Sequence, residues 1–481
     1  VTDTAAPLAT VALVSDRPRW SVLDTVLVAG ITALASVLRL AHITRPSGFV
    51  FDEFYASDAC LYLRGPSGGC MTATEISVAH PPLAKWLIAV GIRLFGFNPA
   101  GWRFAPFVAG TLSVAVLYLL ARRLLGSTPG AALAAVLLTF DFLHFVMSRT
   151  AMLDVFVVLF GLTAFVCLLY DRDRTAVPRT GFPAQVWARP WLLGAGLAAG
   201  AAVACKWSGV YVLVAVAVLA SLSHTAGSGA RDRRRPRQLG LLLLAFVALP
   251  VAVYVGSYAG RLDGAVLAWP WANGSWVRAF VSRQAEMLAH HTGTLYTHPY
   301  ASAAWSWPLV KRPVLFYVSE LPGGAYQEIL ALGNPLVWWP GLVAVVMVAW
   351  RVLRRATRRG GDAVLVLGFV AGYIPWLVIT RREAFLYYFL PAVPFLYLAL
   401  AGVVTTVAAR VARAVSIGLV IVGAVAPFAF FWPLLTAAPM SHMRWERRLW
   451  FRDCAPIVAP GRPGEPMTKV GTRPPAGWCW M

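Results

Sequence analysis

Asp52 and Glu53 stand side by side in the stretch Gly48-Phe49-Val50-Phe51-Asp52-Glu53-Phe54-Tyr55, a short distance beyond a long apolar run. Two carboxylates among aromatic rings at a lipid boundary are costly to hold. That setting suits a base of tuned pKa, or a ligand for a cation or polar substrate. Adjacent side chains point in different directions in helix and strand, so one carboxylate is expected to do chemistry and the other to position. A solvated acidic turn is the plainer alternative. His80-Pro81-Pro82-Leu83-Ala84-Lys85 follows: paired prolines fix the backbone and present His80 and Lys85 at a helix start, where a phosphate can sit. A helix-entry turn with a snorkelling lysine accounts for the same residues.

Further ionisable groups fall at the ends of apolar runs. Arg103 lies just inside one run, and Arg149 and Asp154 lie at the outer end of another; such groups at membrane depth are functional candidates by default. A structural Arg149–Asp154 ion pair fastening two helices is the competing reading. Lys206-Trp207-Ser208-Gly209 sets a cation in a tight turn, and Arg381-Arg382-Glu383 precedes Tyr387-Tyr388 by about a helical turn. Carboxylates, cations and aromatics gathered at one leaflet can hold a lipid phosphate and activate a hydroxyl beside it. Single basic residues there can equally bind phospholipid head groups. His290, His291 and His298 are metal ligands by residue type, but no recognised spacing or acidic set supports a metal.

The elements that must position these groups are membrane helices. Of 481 residues, 59% are hydrophobic and 13% charged, and the mean hydropathy is +0.66. A soluble domain carries roughly 25% charged residues, so a soluble enzyme, a disordered chain and a disulfide-built secreted module are excluded together. Apolar runs near 21–40, 102–121, 128–146, 151–170, 190–205, 208–223, 239–258, 335–353, 363–380, 384–405 and 414–435 predict about eleven spans. The first run lacks a small-residue cleavage site and reads as a retained span.

The net charge of +21 sits in clusters between runs, such as Arg122-Arg123, Arg233-Arg234-Arg235 and Arg354-Arg355. The positive-inside rule places these clusters in the cytoplasm, and nucleic acid is not an expected partner. With Arg17 and Arg19 inside, strict alternation brings every basic hairpin to one side. This puts the N-terminus in the cytoplasm and the C-terminus outside. The expected organisation is a cytoplasmic segment 1–20, a transmembrane module 21–258 with an external loop 42–100, an external loop 259–334 with interfacial helices, a four-helix module 335–435 and an external tail 436–481. Residues 85–95 are too short to cross and read as an interfacial helix. Cys60 and Cys70 share one polar loop, and Cys454 and Cys479 share the tail, so each pair can form a disulfide in an oxidising compartment. Cys167 and Cys205 lie in apolar runs and read as packed thiols.

In this order the residues resemble the protein O-mannosyltransferases, in their bacterial, actinobacterial form. Asp52-Glu53 is similar to that family's acidic motif. His80-Pro81-Pro82-Leu83-Ala84-Lys85 is similar to its His-Pro-Pro-Leu-Gly-Lys element, with Ala84 in place of glycine. The pattern continues through Trp102-Arg103 with Gly110, Ser148-Arg149 to Asp154, Lys206-Trp207-Ser208-Gly209, His298-Pro299-Tyr300, Trp307-Pro308, Gly333-Asn334-Pro335 to Trp338-Trp339, and Arg382 to Phe395. Eukaryotic members carry a β-trefoil domain that the 75 residues from Gly260 to Asn334 cannot hold, and they tend to have histidine at the position of Tyr388.

The resemblance implies an all-α polytopic GT-C glycosyltransferase in the plasma membrane, with its active site on the external side. It implies transfer of mannose from polyprenyl phosphate mannose to Ser or Thr hydroxyls of secreted proteins near the Sec translocon, with inversion and without cofactor or metal. Asp52 is the expected base, with Glu53 in the catalytic pair. His80, Lys85, Arg103, Arg149, Asp154, Lys206, Arg382 and Tyr388 are the expected substrate contacts. A related GT-C enzyme with a lipid or glycan acceptor is one rival. A polytopic lipid or sugar transporter is the other, and it should place charges near the bilayer midplane, where Asp141 is the main candidate.

Overall fold

The computed structural model describes residues 19–64, 70, 77–172, 186, 188–225, 235–259, 276–293, 298–354, 360–379, 383–454, 458–459, 468–469 and 477–480. Among these, eight helices are long and apolar enough to cross a membrane: Val22–Leu40, Pro99–Leu125, Asp154–Arg172, Gln238–Ser257, Pro335–Leu353, Gly361–Val378, Leu386–Thr405 and Arg410–Thr436. Three shorter apolar helices, Thr128–Thr139, Pro190–Cys205 and Gly209–Leu222, account for the other apolar runs. The chain is mostly helical and polytopic.

Helix starts follow local chemistry. Ser21 and Asp24 form a reciprocal capping box at the head of α1 (Val22–Leu40). Two amphipathic helices follow, α2 (Tyr55–Arg64) and α3 (Leu83–Phe95). Asn98 caps α4 (Pro99–Leu125) with proline at the first position, and Ser127 caps α5 (Thr128–Thr139) with proline at the second. Asp141 caps the short α6 (Phe142–Met147). This explains the isolated acid in an apolar run: its other oxygen accepts from the Trp338 indole at 2.8 Å and from the Tyr397 hydroxyl. Asp141 is a buried junction between two halves of the bundle. Asp24 serves similarly, accepting from Arg122 Nε and from the Tyr118 hydroxyl, both at 2.9 Å, and so ties α1 to α4.

The next helices are α7 (Asp154–Arg172), α8 (Pro190–Cys205), α9 (Gly209–Thr225), and α10 (Arg235–Leu243), which passes through a π-helical turn, Leu244–Ala248, into α11 (Leu249–Ser257). A Cβ on Gly196 would fall 1.8 Å from the Ala245 carbonyl oxygen, so α8 and the π-helical turn touch backbone to backbone. Helices in lipid gain their cohesion from such close packing at small residues. Helix α12 (Trp276–Gly293) is moored by the Tyr254 hydroxyl, which donates to Gln284 Oε1 at 2.6 Å and accepts from the Trp207 indole at 2.8 Å.

The expectation of an all-α chain needs one correction. After α12 the chain forms an antiparallel hairpin, β1 (Val314–Leu321) and β2 (Ala325–Ala331), and β3 (Met440–Ser441) pairs with β2. The first five residues of β1, Val314 to Val318, are all apolar or aromatic, so no apolar-polar alternation marks the strand in the sequence, although burial alternates along it. Register shifts between Leu315 and Tyr317. Phe316 is therefore bulged, and its carbonyl accepts from the Phe51 amide at 3.0 Å. A two-stranded sheet of β4 (Val458–Ala459) and β5 (Thr468–Lys469) lies further on. Helices α13 (Pro335–Leu353), α14 (Gly360–Val378), α15 (Val393–Thr405, entered through a 3₁₀ segment Leu386–Ala392), α16 (Arg410–Thr436) and α17 (His442–Glu446) complete the fold. Disulfides join Cys60 to Cys70 and Cys454 to Cys479, and Cys167 and Cys205 are buried free thiols.

Candidate active site

A cavity of about 390 Å³ opens beside Asp52. The turn before α2 carries this carboxylate, and Phe51 enters that turn at φ +42°. A phenylalanine held in the left-handed region costs of order 1–3 kcal/mol. The surroundings enforce it: the Phe51 amide is tied to Phe316, and its ring stacks on the Phe316 ring at 4.8 Å and 10°. Asp52 is thereby presented to the cavity, with Oδ2 3.5 Å from the Tyr387 hydroxyl.

Into the same cavity α7 and α8 contribute a buried pair. Asp154 begins α7, where a carboxylate favours the positive end of the helix, and Lys206 ends α8, where a cation favours the negative end. Lys206 Nζ lies 2.8 and 2.9 Å from the two Asp154 oxygens and 4.4 Å above the Tyr388 ring. Asp154 therefore pairs with Lys206, and the Arg149–Asp154 pair considered from sequence does not form.

Histidines line another wall: His80, from the His-Pro-Pro segment, has its ring 5.4 Å from that of His291, which in turn lies 5.7 Å from Trp207. His298 packs edge-on against Phe51 and Phe385. Among the described residues the lining thus holds three carboxylates (Asp52, Asp154, Glu383), one ammonium and four histidines. Tyr55 also lines the cavity; burial first, and the nearby Asp52 charge second, push its pKa well above the usual phenol range, so it remains a neutral hydroxyl.

Of the residues singled out in the sequence, Asp52, His80, Asp154, Lys206 and Tyr388 meet in this cavity, and Arg382 lies outside the described residues. Glu53, Lys85, Arg103 and Arg149 do not line it, for a common reason: each is buried and engaged elsewhere. Glu53 receives Arg103 Nε and Nη2 at 2.7 Å each and the amides of Val50 and Ala151 at 3.0 Å. Arg103 also donates to the carbonyls of Ile43, Pro46 and Gly48. The pair is the internal scaffold of the Asp52 turn. Lys85 binds Asp58 at 2.8 Å and the Ser77 carbonyl at 2.8 Å, which fixes Ser77 at the cavity edge. Burial lowers the Lys85 pKa, and Asp58 opposes that shift. Arg149 donates to the His42 carbonyl at 2.8 Å and covers the Phe145 ring.

The sequence reading missed cavity roles for His290, His291, His298 and Glu383. His80 and His298 each precede proline, and that shared dipeptide was the available signal. Among the described residues, no three His, Cys, Asp or Glu side chains are grouped to hold a metal ion. A half-buried carboxylate facing a polar, aromatic-walled cavity can accept a proton from a hydroxyl, and the lysine and histidines of the lining can meet an anion.

A family model described as dolichyl-phosphate-mannose-protein mannosyltransferase matches residues 98–259. One for the C-terminal four TMM region of protein-O-mannosyltransferase matches residues 276–454. The chain is 30% identical to the polyprenol-phosphate-mannose–protein mannosyltransferase of Mycolicibacterium smegmatis, over 93% of this chain and 96% of that protein. It is also 30% identical to the protein of the same name from Mycobacterium tuberculosis, over 87% and 90%. Among solved structures, the S. cerevisiae protein O-mannosyltransferase Pmt1-Pmt2 complex bound to the sugar donor is similar at a TM-score of 0.73 and 15% identity, covering 90% of this chain and 92% of that one. ArnT from Cupriavidus metallidurans in the apo state is similar at a TM-score of 0.53 and 17% identity, covering 86% and 77%. At those identities the likeness is one of fold.

Proposed function

The chain belongs to the protein O-mannosyltransferase family, and we propose that it transfers mannose from polyprenyl phosphate mannose to Ser or Thr hydroxyls of proteins at the external face of the plasma membrane. The acceptors are secreted chains met near the Sec translocon. The observation that carries this reading is Asp52, held in a strained turn and facing a cavity that Lys206 and histidines also line.

Asp52 takes the proton of the acceptor hydroxyl as its oxygen attacks the anomeric carbon. The bond from that carbon to the phosphate oxygen breaks, and the polyprenyl phosphate leaves with the electron pair. One displacement inverts the anomeric centre, so a β-linked donor gives an α-mannosyl product. Charge growing on the leaving phosphate is met by Lys206 and the histidine wall. The reaction as drawn uses no cofactor or metal.

The test is transfer of labelled mannose from polyprenyl phosphate mannose to a Ser/Thr-rich peptide by purified protein in detergent with lipid, with chelator present, for wild type and Asp52→Asn. Chelator-resistant label on the peptide, lost in the variant, supports donor, acceptor and base together. Donor binding without transfer by wild type moves the acceptor or sugar into question. Full activity in Asp52→Asn removes Asp52 from the mechanism.

A further inference from the structure

Residues 477–480 lie against the outer support of the cavity wall, and the Cys454–Cys479 disulfide holds them there. Asp453 N donates to the Trp478 carbonyl at 3.1 Å, and Trp480 N donates to the Phe451 carbonyl at 2.9 Å. The strap so formed grips the segment before β1 at three points. Cys479 N donates to the Lys311 carbonyl at 3.2 Å. The fully buried Trp480 indole donates to the Val310 carbonyl at 2.8 Å. Arg312 Nη1 donates to the Cys479 carbonyl at 3.1 Å and lies 2.7 Å from its Sγ.

What it grips is strained and leads to the site. Val310 has φ +56°, a conformation a β-branched residue adopts only when its surroundings impose it. Two residues on, Arg312 is buried; its Nε donates to the Pro299 carbonyl at 3.0 Å, and its guanidinium covers Tyr300 at 4.5 Å. Pro299 follows His298 of the cavity wall. Four residues beyond Arg312 is Phe316, whose carbonyl and ring hold Phe51 and thus Asp52. One buried guanidinium therefore joins the disulfide to both the histidine wall and the base. Opening the strap removes a carbonyl partner from a buried charge, which is among the costlier losses a fold can suffer. The matched family region stops at residue 454, so most of the strap lies beyond it.

We propose that the Cys454–Cys479 strap, acting through the positioning residue Arg312, sets the cavity geometry, so that the chain becomes fully competent only after this disulfide closes. Closure joins the two sulfurs and releases two protons, and the two electrons reduce a disulfide oxidant to two thiols. The kinetic arm of the proposal rests on the transferase reading above; the structural arm does not.

The experiment uses full-length protein in detergent: oxidised wild type, Cys454→Ser/Cys479→Ser, and wild type reduced with a phosphine and reoxidised with oxidised glutathione. Hydrogen exchange is read over residues 49–55 and 298–316, alongside kcat and KM for mannosyl transfer. Both segments should exchange at least about tenfold faster in the double variant and in reduced wild type. The kcat should fall about tenfold with donor KM within about twofold, and reoxidation should restore all three readouts. Cys60→Ser/Cys70→Ser should behave as oxidised wild type without reductant and as reduced wild type with it, which assigns the effect to the strap. Faster exchange confined to residues 449–454 and 477–480, with 49–55 and 298–316 unchanged, overturns the proposal, as does a kcat indifferent to the state of the strap. An oxidised wild type that transfers no mannose defeats the transferase reading instead, and the exchange data still decide the strap.

Discussion

Asp52 and Glu53 are neighbours in the chain, yet one carboxylate faces the cavity 3.5 Å from the Tyr387 hydroxyl while the other is fully buried 2.7 Å from Arg103. The two should therefore fail differently. Asp52→Asn is expected to lower kcat by about a hundred- to ten-thousand-fold, with thermal unfolding close to wild type. Glu53→Ala leaves the Arg103 guanidinium buried without its counter-ion and is expected to destabilise by about 3–5 kcal/mol, read as a lowered Tm in detergent. Equal Tm losses in the two variants would contradict this division of roles.

Lys206 and Asp154 should be energetically coupled. Each single substitution, Lys206→Met or Asp154→Asn, strands one buried partner, whereas the double variant strands neither. A double-mutant cycle on unfolding is expected to give a coupling above about 1 kcal/mol. For transfer, Lys206→Met should also raise KM for the lipid donor, because the cavity loses its ammonium. Additive losses in stability would show that the pair acts as two independent groups.

Glu328, on β2, lies in a buried setting where it accepts from the Trp445 indole. Burial raises its pKa from 4.5 to about 8, and the indole works against that shift. The folded chain then holds a proton that the unfolded chain releases above pH 4.5. Stability from this group is therefore fully present below about pH 4.5, declines as pH rises to about 8, and changes no further beyond. Glu328→Gln keeps an acceptor for Trp445 without the charge. Its Tm should match wild type near pH 5 and exceed it near pH 8; a constant difference across that range would refute the assignment.

Gly110 marks a contact rather than a chemical group. A Cβ there would lie 2.0 Å from Ser148 Oγ and 2.4 Å from Ser148 Cβ, so Gly110→Ala must push α4 away from the turn that carries Arg149. Overpacking of this kind costs about 1–3 kcal/mol. Smaller losses are expected for Gly110→Ala combined with Ser148→Gly, which removes the obstructing side chain, and a Tm comparison of single and double variants reads the difference.

Much of the fold was legible because its signal is long and one-dimensional. The apolar runs became helices, eight of them among the described residues long enough to cross a membrane, and Asn98-Pro99 and Asn334-Pro335 mark helix starts by local chemistry alone. The hairpin at Val314–Ala331 was not legible: its strands are short, and their residues do not alternate apolar with polar. In the site, residue type identified Asp52, His80, Asp154, Lys206 and Tyr388. It also drew in Lys85, Arg103 and Arg149, since a buried structural cation and a ligand-binding one look alike in a string of letters.

The sequence by itself determined a polytopic helical membrane protein of this family, with its acidic pair in the first long loop, because hydropathy and order of motifs need no third dimension. Partner choice needed it. Asp154 turns to Lys206 and not to Arg149, Glu53 to Arg103, and Arg312 to Cys479, each across 50 or more residues of chain. A charge in a low-dielectric interior is settled by whichever group the packing of helices brings within 3 Å, and that distance is a property of the assembled fold alone.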